Sequence, residues 1–437
     1  MTPEEIQKMN ERAARKAELS ALSTITFTEL EARVKRWMLL ADSGVIKFLC
    51  AVYIANHLER DPIWIFLVGP SGGGKTELMT SLFDLEDIYV VSLLTPTTFL
   101  SGMPGKNDAS LLPQISGKIL MFLDWTNLLD MNKDAKKEIM GQLRDIYGGY
   151  LRKAFGNGKV REWSGKVGLM ACTTSMVDFS QQASGAMGER FINYRVLMPD
   201  RKDVARRALD NGDRQAEMRK DLKDAMYSFF KGLTIDKENP PELPAEINEE
   251  LVRVANFATL ARSCVIRDFG FKKEVMFVPS AEMPTRITQQ LKTIAVALMI
   301  MNGGTYMPSD MEIIYKIALD SIPQTNRIVI RQMAKMDNQT TKEIATALGY
   351  PTGPIHMYLE NLAMLGVCKR SAGRETEEGG QADRWALKED FSDIFNRHND
   401  DLDTSEQAPE QGAIIPFGDA PGKRVVVHEV NIFDIET

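Results

Sequence analysis

The fold is decided by the stretch Gly69-Pro70-Ser71-Gly72-Gly73-Gly74-Lys75-Thr76, which fits the phosphate-loop pattern G-x-x-x-x-G-K-[ST]. The apolar run Trp64–Val68 precedes it and predicts a buried strand, and the residues from Glu77 to Phe83 predict a helix. In such a setting, glycines let backbone N–H groups surround phosphate oxygens, and the helix start adds positive potential. The stretch therefore predicts an α/β core that binds a nucleotide.

Two side chains of this loop have specific expected roles, since Lys75 should reach the β and γ phosphates and Thr76 should hold Mg²⁺. A further apolar strand is predicted from Lys118 to Leu123, and it ends at Asp124. An aspartate at the carboxyl end of a buried strand can hold the water shell of Mg²⁺. The expected ligands are ATP and Mg²⁺. The residues expected to bind the nucleotide are Gly69, Pro70, Ser71, Gly72, Gly73, Gly74, Lys75, Thr76 and Glu77.

Composition limits the class of protein. The chain has 437 residues, of which 44% are apolar and 26% charged, as in globular proteins of two or three domains. No apolar run approaches the length of a membrane span, and the charged N-terminus lacks the apolar segment of a signal peptide. Four widely spaced cysteines indicate buried thiols in a reducing compartment. We therefore expect a cytoplasmic protein with no membrane partner.

The net charge of −7 lies in the C-terminal tail, because residues 399–437 hold nine acidic and two basic residues. The rest of the chain is neutral overall, so only local basic patches can indicate a nucleic-acid partner. The tail composition predicts disorder, and its apolar end, residues 425–434, could dock on a protein partner or pack back on the body. The charged segment 2–19 predicts either a partner-binding helix or a frayed arm.

One basic patch stands out. The turn Gly156-Asn157-Gly158 predicts a β-hairpin over residues 150–163, and residues 150–161 contain no acid. Basic side chains interleaved with Tyr150 and Phe155 suit a phosphate backbone and exposed bases, whereas a solvated surface hairpin is the alternative. The residues expected to contact DNA are Arg152, Lys153, Lys159 and Arg161.

The remaining segments predict helices and a small C-terminal domain. Residues 325–390 have the order helix, helix, turn, helix and two strands around a Gly/Glu-rich wing, which is typical of a winged helix-turn-helix. Its third helix, residues 354–365, is poor in base-reading side chains, so DNA contact competes with protein docking or a structural role. The predicted boundaries are a helical collar (1–60), a nucleotide-binding core (61–200), a helical lid (201–322), the winged helix (323–392) and an acidic tail (393–437).

This order of motifs resembles an AAA+ ATPase. The hairpin before a polar strand end at Cys172-Thr173-Thr174 is similar to that of the clade with MCM helicases, viral replicative helicases and the RuvB branch-migration motor. Several stretches from Trp64 to Arg195 look like ATPases encoded by phages and mobile elements. The resemblance covers roughly residues 28–300. It implies a parallel sheet flanked by helices, a helical lid and an oligomeric ring, in this case a homo-hexamer.

The resemblance also implies roles for individual residues. Lys75 and Asp124 would belong to the catalytic centre, and Thr173 or Thr174 would sense the γ-phosphate. Arg190, in Gly188-Glu189-Arg190-Phe191, would be an arginine finger acting on the neighbouring subunit, and Arg286 would be the lid sensor. The family places a glutamate directly after the strand-end aspartate to orient the attacking water. Here that residue is Trp125, so hydrolysis is expected to be slow or to use another base.

Three functions fit this sequence. The first is a ring-forming helicase or translocase that pulls DNA through a pore during phage or mobile-element replication or recombination. The second is a slow ATP-gated loader or assembly switch, which the missing glutamate favours. The third is an ATP-sensing winged-helix regulator, which the weak base-reading helix disfavours. The basic hairpin favours DNA contact, and hence the first.

Overall fold

The computed structural model describes residues 2–102, 110–178, 190–268, 274–278, 280–371 and 382–396. These residues belong to one compact unit that spans residues 1–405. Among the described helices, none is both long and apolar enough to cross a membrane. Several predictions fall on residues outside this part of the chain: Gly188 and Glu189, the wing with Arg374, and the tail from Asn399.

A five-stranded parallel sheet forms the centre of the protein, in the order β2-β3-β6-β1-β7. Its strands are β1 (Trp64–Val68), β2 (Ile88–Val90), β3 (Ile119–Phe122), β6 (Gly168–Thr173) and β7 (Phe191–Arg195). The apolar runs at residues 64–68, 88–91, 118–123 and 167–171 predicted four of these five strands, whereas β7 was missed. Every residue of β1 is buried, as expected for a parallel strand that is covered on both faces. The fold class α/β, with helices flanking a parallel sheet, is therefore confirmed.

The two faces of the sheet support two hydrophobic cores. Because side chains alternate along a strand, Ile65 and Leu67 belong to one core, and Trp64 and Phe66 belong to the other. The first core contains most of the long helices. The second contains the short helices after β2 and β3 and a β-hairpin, which was predicted at this place in the chain. That hairpin consists of β4 (Tyr150–Ala154) and β5 (Val160–Ser164).

The helices of the N-terminal two thirds follow in chain order. They are α1 (Pro3–Ala21), α2 (Phe27–Trp37), α3 (Gly44–His57), α4 (Lys75–Thr80), α5 (Leu112–Ile115), α6 (Thr126–Leu129), α7 (Lys133–Tyr147), α8 (Arg201–Asp210), α9 (Gln215–Lys231) and α10 (Ala245–Arg262). Helix α2 begins with a capping box between Thr26 and Glu29, which satisfies the free N–H groups of its first turn.

A two-stranded ribbon, β8 (Ile266–Arg267) and β9 (Val275–Phe277), separates α10 from the next helix. The helical pattern of the sequence breaks between Asp268 and Pro279, and β9 lies inside this break. Helices α11 (Thr285–Met301) and α12 (Asp310–Asp320) follow, and α11 packs along α3.

The C-terminal part has the predicted order of elements. Helices α13 (Gln324–Lys335), α14 (Thr341–Leu348) and α15 (Thr352–Met364) pack with a three-stranded sheet in the order β10-β12-β11. The strands are β10 (Gln339–Thr340), β11 (Cys368–Ser371) and β12 (Arg384–Leu387). A last helix, α16 (Glu389–Asn396), extends past the predicted start of the acidic tail at 393.

Candidate functional site

The phosphate loop connects β1 to α4, as predicted. Gly74 directly precedes α4 with a φ of 78°, a left-handed conformation that favours glycine. A Cβ atom at Gly73 would lie 2.8 Å from the Sδ atom of Met198, so a side chain there would force the end of that methionine side chain to move. Two of the glycines therefore meet a backbone or packing requirement of this loop.

Lys75 begins α4 with its ammonium held at the loop. Its Nζ atom donates hydrogen bonds to the carbonyl oxygens of Gly69, at 2.7 Å, and Pro70, at 2.6 Å. Burial lowers the pKa of Lys75, and the opposing influences on that pKa come from Cys172 and Asp124. The carboxylate of Asp124 is thus close enough to act electrostatically on Lys75, which places the two predicted residues in one site.

Backbone hydrogen bonds join the carboxyl ends of three adjacent strands. Strand β6 lies between β1 and β3, and Val68 is paired with Thr173. The N–H of Gly69 donates to the carbonyl oxygen of Thr173 at 3.2 Å, and the N–H of Trp125 donates to that of Cys172 at 2.9 Å. The start of the phosphate loop, the predicted sensor and the predicted strand-end aspartate are therefore neighbours.

The oxygen groups at these strand ends fit a hydrated magnesium ion. Thr76 and Asp124 are both exposed, and Asp124 accepts one hydrogen bond, from the N–H of Thr126 at 2.8 Å. No cluster of three or more His, Cys, Asp or Glu that could hold a metal occurs in the part of the chain that the structure describes. Mg²⁺ commonly needs only one or two protein oxygens, because waters and substrate phosphates complete its octahedron.

Trp125, which follows Asp124, is a core residue. It is 1% exposed, and its ring lies against those of Phe122 at 5.0 Å, Phe66 at 5.3 Å and Phe191 at 5.7 Å between centroids. The chain then turns into α6, with Asn127 exposed. The position where a water-orienting carboxylate was expected is thus used for packing between the sheet and α6.

The side chains of Thr173 and Thr174 differ in exposure. Thr173 is buried and its hydroxyl donates to the carbonyl oxygen of Thr174 at 3.3 Å, whereas Thr174 is half-buried. Both lie at the carboxyl end of β6, beside the phosphate loop. Either hydroxyl is therefore a candidate for the sensor.

The prediction that Glu77 contacts the nucleotide has to be narrowed to its backbone. Its carboxylate accepts a bidentate ion pair from Arg219 of α9, with 2.6 Å from Nη2 to Oε1 and 3.0 Å from Nε to Oε2. This contact connects α4 to the helices that follow the sheet. The side chain of Glu77 is therefore occupied by a structural partner, and only its backbone remains a candidate for nucleotide contact. Nothing in the local sequence indicated Arg219, which is 142 residues away.

Arg190 lies at the opposite end of the sheet from the phosphate loop. The residue after it, Phe191, pairs with Trp64, the first residue of β1. The guanidinium of Arg190 lies 5.9 Å from the ring centroid of Tyr147, and that ring packs on Trp64 at 5.2 Å. Arg190 therefore stands at the amino end of the strands.

The position of Arg286 differs from the one predicted for a lid sensor. It lies beside Arg190 and away from the phosphate loop of its own chain. Its guanidinium is 5.9 Å from the same Tyr147 ring, and Gln290, one turn on, donates to the carbonyl oxygen of Arg190 at 2.7 Å. The cause is the direction of α11, whose first turn packs at the amino end of the sheet. Arg286 and Arg190 thus form a pair that the sequence did not predict.

Arg195, which the sequence offered beside Arg190 as a basic functional candidate with a structural ion pair as the alternative, is structural. It is 7% exposed, and its guanidinium donates to both carboxylate oxygens of Asp178, at 2.7 and 2.9 Å. Its backbone N–H donates to Asp320. Burial acts to raise the pKa of this aspartate, but the cations Lys316, Arg327 and Arg195 outweigh burial, so the pKa is lowered. The ion-pair alternative is the one that the structure supports.

Two of the four basic residues of the β4–β5 hairpin face the protein body. Lys153 donates to Glu138 of α7 at 2.9 Å and to the carbonyl oxygen of Pro96 at 2.6 Å. Arg161 is directly across from Lys153 and is half-buried. The prediction that these two side chains reach DNA is corrected, because the hairpin lies on the loop after β2 instead of protruding.

The outer face of the hairpin carries one of the remaining candidates, Arg152. It is exposed and paired across the strands with Glu162, and Tyr150 and Val160 are exposed on the same face. The other candidate, Lys159, is half-buried in the turn just before the return strand. The tip is anchored by Asn157, whose amide donates to the carbonyl oxygen of Gly102 at 2.7 Å.

Helix α15, the predicted DNA reader, is largely covered. Asn361 accepts hydrogen bonds from Arg267 at 2.9 and 2.7 Å, and Glu360 pairs with the same arginine at 3.1 Å. Thr352, Gly353 and Met364 are its exposed residues. A base-reading role for this helix is therefore disfavoured.

No model of a known protein family matches this sequence, and a search of curated proteins found no match.

Proposed function

We propose that this chain is an AAA+-type ATPase that assembles into a ring and remodels DNA in replication or recombination of a phage or mobile element. The observation that carries the proposal is the convergence of Lys75, Thr173 and Asp124 at the carboxyl ends of three adjacent parallel strands. In open α/β sheets, ligands bind outside the carboxyl ends of the strands. A phosphate loop at this edge, with exposed oxygen donors beside it, suits a nucleoside triphosphate with Mg²⁺.

Each residue has a role in this mechanism. Lys75 neutralises charge on the β and γ phosphates, and backbone N–H groups of the glycine loop orient them. Thr76 and Asp124 hold Mg²⁺, which neutralises charge that develops on the phosphate oxygens when it is bound. A hydroxyl of Thr173 or Thr174 positions the terminal phosphate. These groups act by placement and electrostatics, which supply most of the catalysis in phosphoryl transfer.

The paired arginines at the amino end act on the nucleotide of a neighbouring copy. Arg190 and Arg286 share the Tyr147 ring, so both would approach a second subunit as one unit. Arginine fingers supplied in trans stabilise transition-state charge and are worth about 10³–10⁵ in turnover. This arrangement makes the assembled protein the active form.

DNA is the proposed substrate on which the ATPase acts. The outer hairpin face with Arg152 and Tyr150, together with Lys159, offers charge and an aromatic surface to a single strand. The C-terminal helices and sheet are proposed to form a winged helix whose α15 serves structure or protein docking. All four cysteines are free thiols, which supports the reducing cytoplasm as the proposed setting.

The test is steady-state ATP hydrolysis with and without single-stranded and double-stranded DNA. We expect DNA-stimulated turnover in the wild-type chain and none in Lys75→Ala, because that variant lacks the phosphate-binding charge. Lys342→Ala, which removes an exposed lysine of α14, is the matched control and should retain full activity. Absence of ATP binding in the wild-type chain would refute the proposal.

A second function, the ATP-gated assembly switch, is favoured by the burial of Trp125. Without a carboxylate after Asp124, a chain could hold ATP for long periods and use it to control assembly. Tight ATP binding with negligible turnover in the presence of either DNA would select this function over the motor.

A further inference from the structure

The turn that follows β6 begins with the two threonines of the candidate sensor and ends at a buried aspartate. The N–H of Val177 donates to the carbonyl oxygen of Thr174 at 3.2 Å, and the N–H of Asp178 donates to that of Ser175 at 3.1 Å. The side chain of Asp178 is enclosed, since this residue is only 7% exposed. Because hydrogen bonds join the turn from end to end, the place of the Asp178 carboxylate determines the place of the threonines.

The two threonine hydroxyls use their protons differently. The hydroxyl of Thr173 donates its proton to the carbonyl oxygen of Thr174 at 3.3 Å. The hydroxyl oxygen of Thr174 instead accepts the N–H of Met176 at 3.4 Å. A hydroxyl has one proton and two lone pairs, so this contact leaves the proton of Thr174 to be donated to another acceptor. A phosphate oxygen at the neighbouring loop is an acceptor of the right kind.

Asp178 is anchored to the strand that lies beside the start of the phosphate loop. Both of its carboxylate oxygens accept hydrogen bonds from the guanidinium of Arg195, at 2.7 and 2.9 Å. Arg195 is paired with Val68, the last residue of β1, and the N–H of Val196 donates to the carbonyl oxygen of Val68 at 2.8 Å. A bidentate pair of this kind fixes the orientation of the carboxylate as well as its position. The turn with the threonines is therefore held in a set place relative to the loop.

The same network continues to the junction between α12 and α13. The backbone N–H of Arg195 donates to Asp320 at 2.7 Å, and its Nη2 atom donates to the carbonyl oxygen of Ile322 at 3.2 Å. The backbone N–H of Gln324, the first residue of α13, donates to Asp178 at 3.4 Å. The support of Asp178 thus comes from a strand and from a helix junction, which are rigid elements. Functional groups are held precisely when buried neighbours on such elements fix them.

We infer that Asp178 is a positioning residue that directs the hydroxyl of Thr174 at the terminal phosphate of ATP. The inference rests on the proposed function, since it needs a nucleoside triphosphate at the phosphate loop. It selects Thr174 over Thr173 as the sensor. It also gives the buried pair of Asp178 and Arg195 a role in distinguishing ATP from ADP, which lacks the terminal phosphate.

The test is a competition experiment on the full chain with Mg²⁺, in which ADP or AMP-PNP, an ATP analogue that is not hydrolysed, displaces fluorescent mant-ADP. Asp178→Asn keeps the shape of the side chain but removes the charge that orients the fork of Arg195. We expect Asp178→Asn and Thr174→Val each to weaken AMP-PNP binding about tenfold or more and to leave ADP affinity within about twofold, because one hydrogen bond to a charged phosphate is lost. Asp390→Asn, which removes an exposed carboxylate of α16, is the matched control and should bind both nucleotides like wild type.

Combined variants separate positioning from a merely structural role. Because Asp178 acts through Thr174, adding Asp178→Asn to Thr174→Val should weaken AMP-PNP binding no further. Asp178→Leu/Arg195→Met removes the ion pair without leaving one of its charges buried alone. It is the variant to use if Asp178→Asn does not fold, and it should show the same selective loss of AMP-PNP binding.

Four results would overturn the inference. They are wild-type AMP-PNP affinity in the folded Asp178 variants, equal losses of AMP-PNP and ADP affinity, additive losses in the variant that combines Asp178→Asn with Thr174→Val, and a selective loss in Thr173→Val instead of Thr174→Val. In each case, nucleotide binding by the wild-type chain would still support the proposed function. A wild-type chain that binds neither nucleotide would refute the proposed function itself.

Discussion

The two ends of the central sheet carry different sets of candidate functional residues. At the carboxyl end, the phosphate loop, Thr173 and Asp124 are joined through backbone hydrogen bonds between adjacent strands. At the amino end, Arg190 and Arg286 rest on one aromatic ring, Tyr147. The strands between the two ends are short. Each residue of a strand adds about 3.3 Å, so β1 spans roughly 13 Å. That distance still exceeds the reach of an arginine side chain.

Because of this separation, we infer that one copy contains parts of two different sites. At the strand ends beside its own phosphate loop, Arg195 is bound to Asp178, while the pair of Arg190 and Arg286 lies at the other end of the sheet. A heterologous interface between copies would unite the two halves, and repetition around a closed ring would do so for every subunit. The comparison predicts that the two ends fail in different ways when they are mutated.

The largest expected effect comes from the amino end. Arg190→Ala and Arg286→Ala should each lower the turnover number by about 10³-fold or more, because the charge that stabilises the transition state is lost. ATP affinity should stay within about twofold, since neither side chain contacts the loop of its own chain. Turnover by a coupled phosphate-release assay and affinity by fluorescent-nucleotide titration measure the two quantities separately.

Arg144→Ala is the matched control, because it removes an exposed arginine from the last turn of α7, near Tyr147, and should leave turnover intact. Mixing inactive Lys75→Ala copies with inactive Arg190→Ala copies should restore part of the activity, because some interfaces then combine an intact loop with an intact arginine. Failure of such mixtures to recover any turnover, or loss of ATP binding in Arg190→Ala monomers, would contradict action in trans.

The carboxyl end was largely predictable from sequence, because its signals are local. A phosphate loop needs a strand before it and a helix after it, and both are encoded by neighbouring residues. Parallel strands then bring their carboxyl ends to one edge, so Asp124 and Thr173 follow from the order of apolar runs. The turn Gly156-Asn157-Gly158, which is also a local signal, predicted the hairpin.

The amino end was not predictable, because its contacts join distant parts of the chain. Strand β7 was missed because Asn193 and Arg195 interrupt its apolar pattern. In the fold, the N–H of Asn193 donates to Ser321, and Arg195 binds Asp178 and Asp320. The position of Arg286 depends on which end of α11 meets the sheet. Packing of α11 along α3 determines that direction, and no local pattern encodes it.

The hairpin connects the two ends and provides the second test. Its strands start beside Tyr147, and its tip rests on the loop after β2, through Asn157 and Gly102. Arg152→Ala should weaken binding of a fluorescent single-stranded DNA several-fold and reduce the salt dependence of log K by about one unit. Anisotropy titrations at several salt concentrations measure both.

Lys153→Ala is the informative counterpart, because the ammonium of Lys153 donates hydrogen bonds to Glu138 and to the carbonyl oxygen of Pro96 in its own chain. We expect unchanged DNA affinity and a loss of about 1 kcal/mol in the free energy of unfolding, measured by urea denaturation. An equal loss of DNA affinity in both variants would mean that the hairpin leaves its resting place on the β2 loop when DNA binds. Such a result would show that the side chain of Lys153 reaches DNA, as the sequence predicted.

The smallest effect concerns two lysines, one at each end, whose pKa values are both lowered by burial. At the amino end, burial lowers the pKa of Lys166 to about 8, and its Nζ atom donates to the carbonyl oxygen of Leu58. Below pH 8 this lysine is protonated in both the folded and the unfolded chain, so the folded state carries the whole desolvation penalty. Between about pH 8 and 10.5 the folded chain releases the proton while the unfolded chain keeps it, and stability rises with pH.

The unfolding free energy of the wild-type chain minus that of Lys166→Met should therefore increase across this window, as followed by urea denaturation at several pH values. Lys75→Met provides the comparison at the carboxyl end, because burial also lowers the pKa of Lys75. Without nucleotide both differences should rise with pH. With ATP the rise should shrink for Lys75 alone, since phosphate charge favours its protonated form. If ATP reduced the pH dependence of the Lys166 difference as much as that of the Lys75 difference, phosphate would bind at the amino end of the sheet. That result would contradict this mechanism.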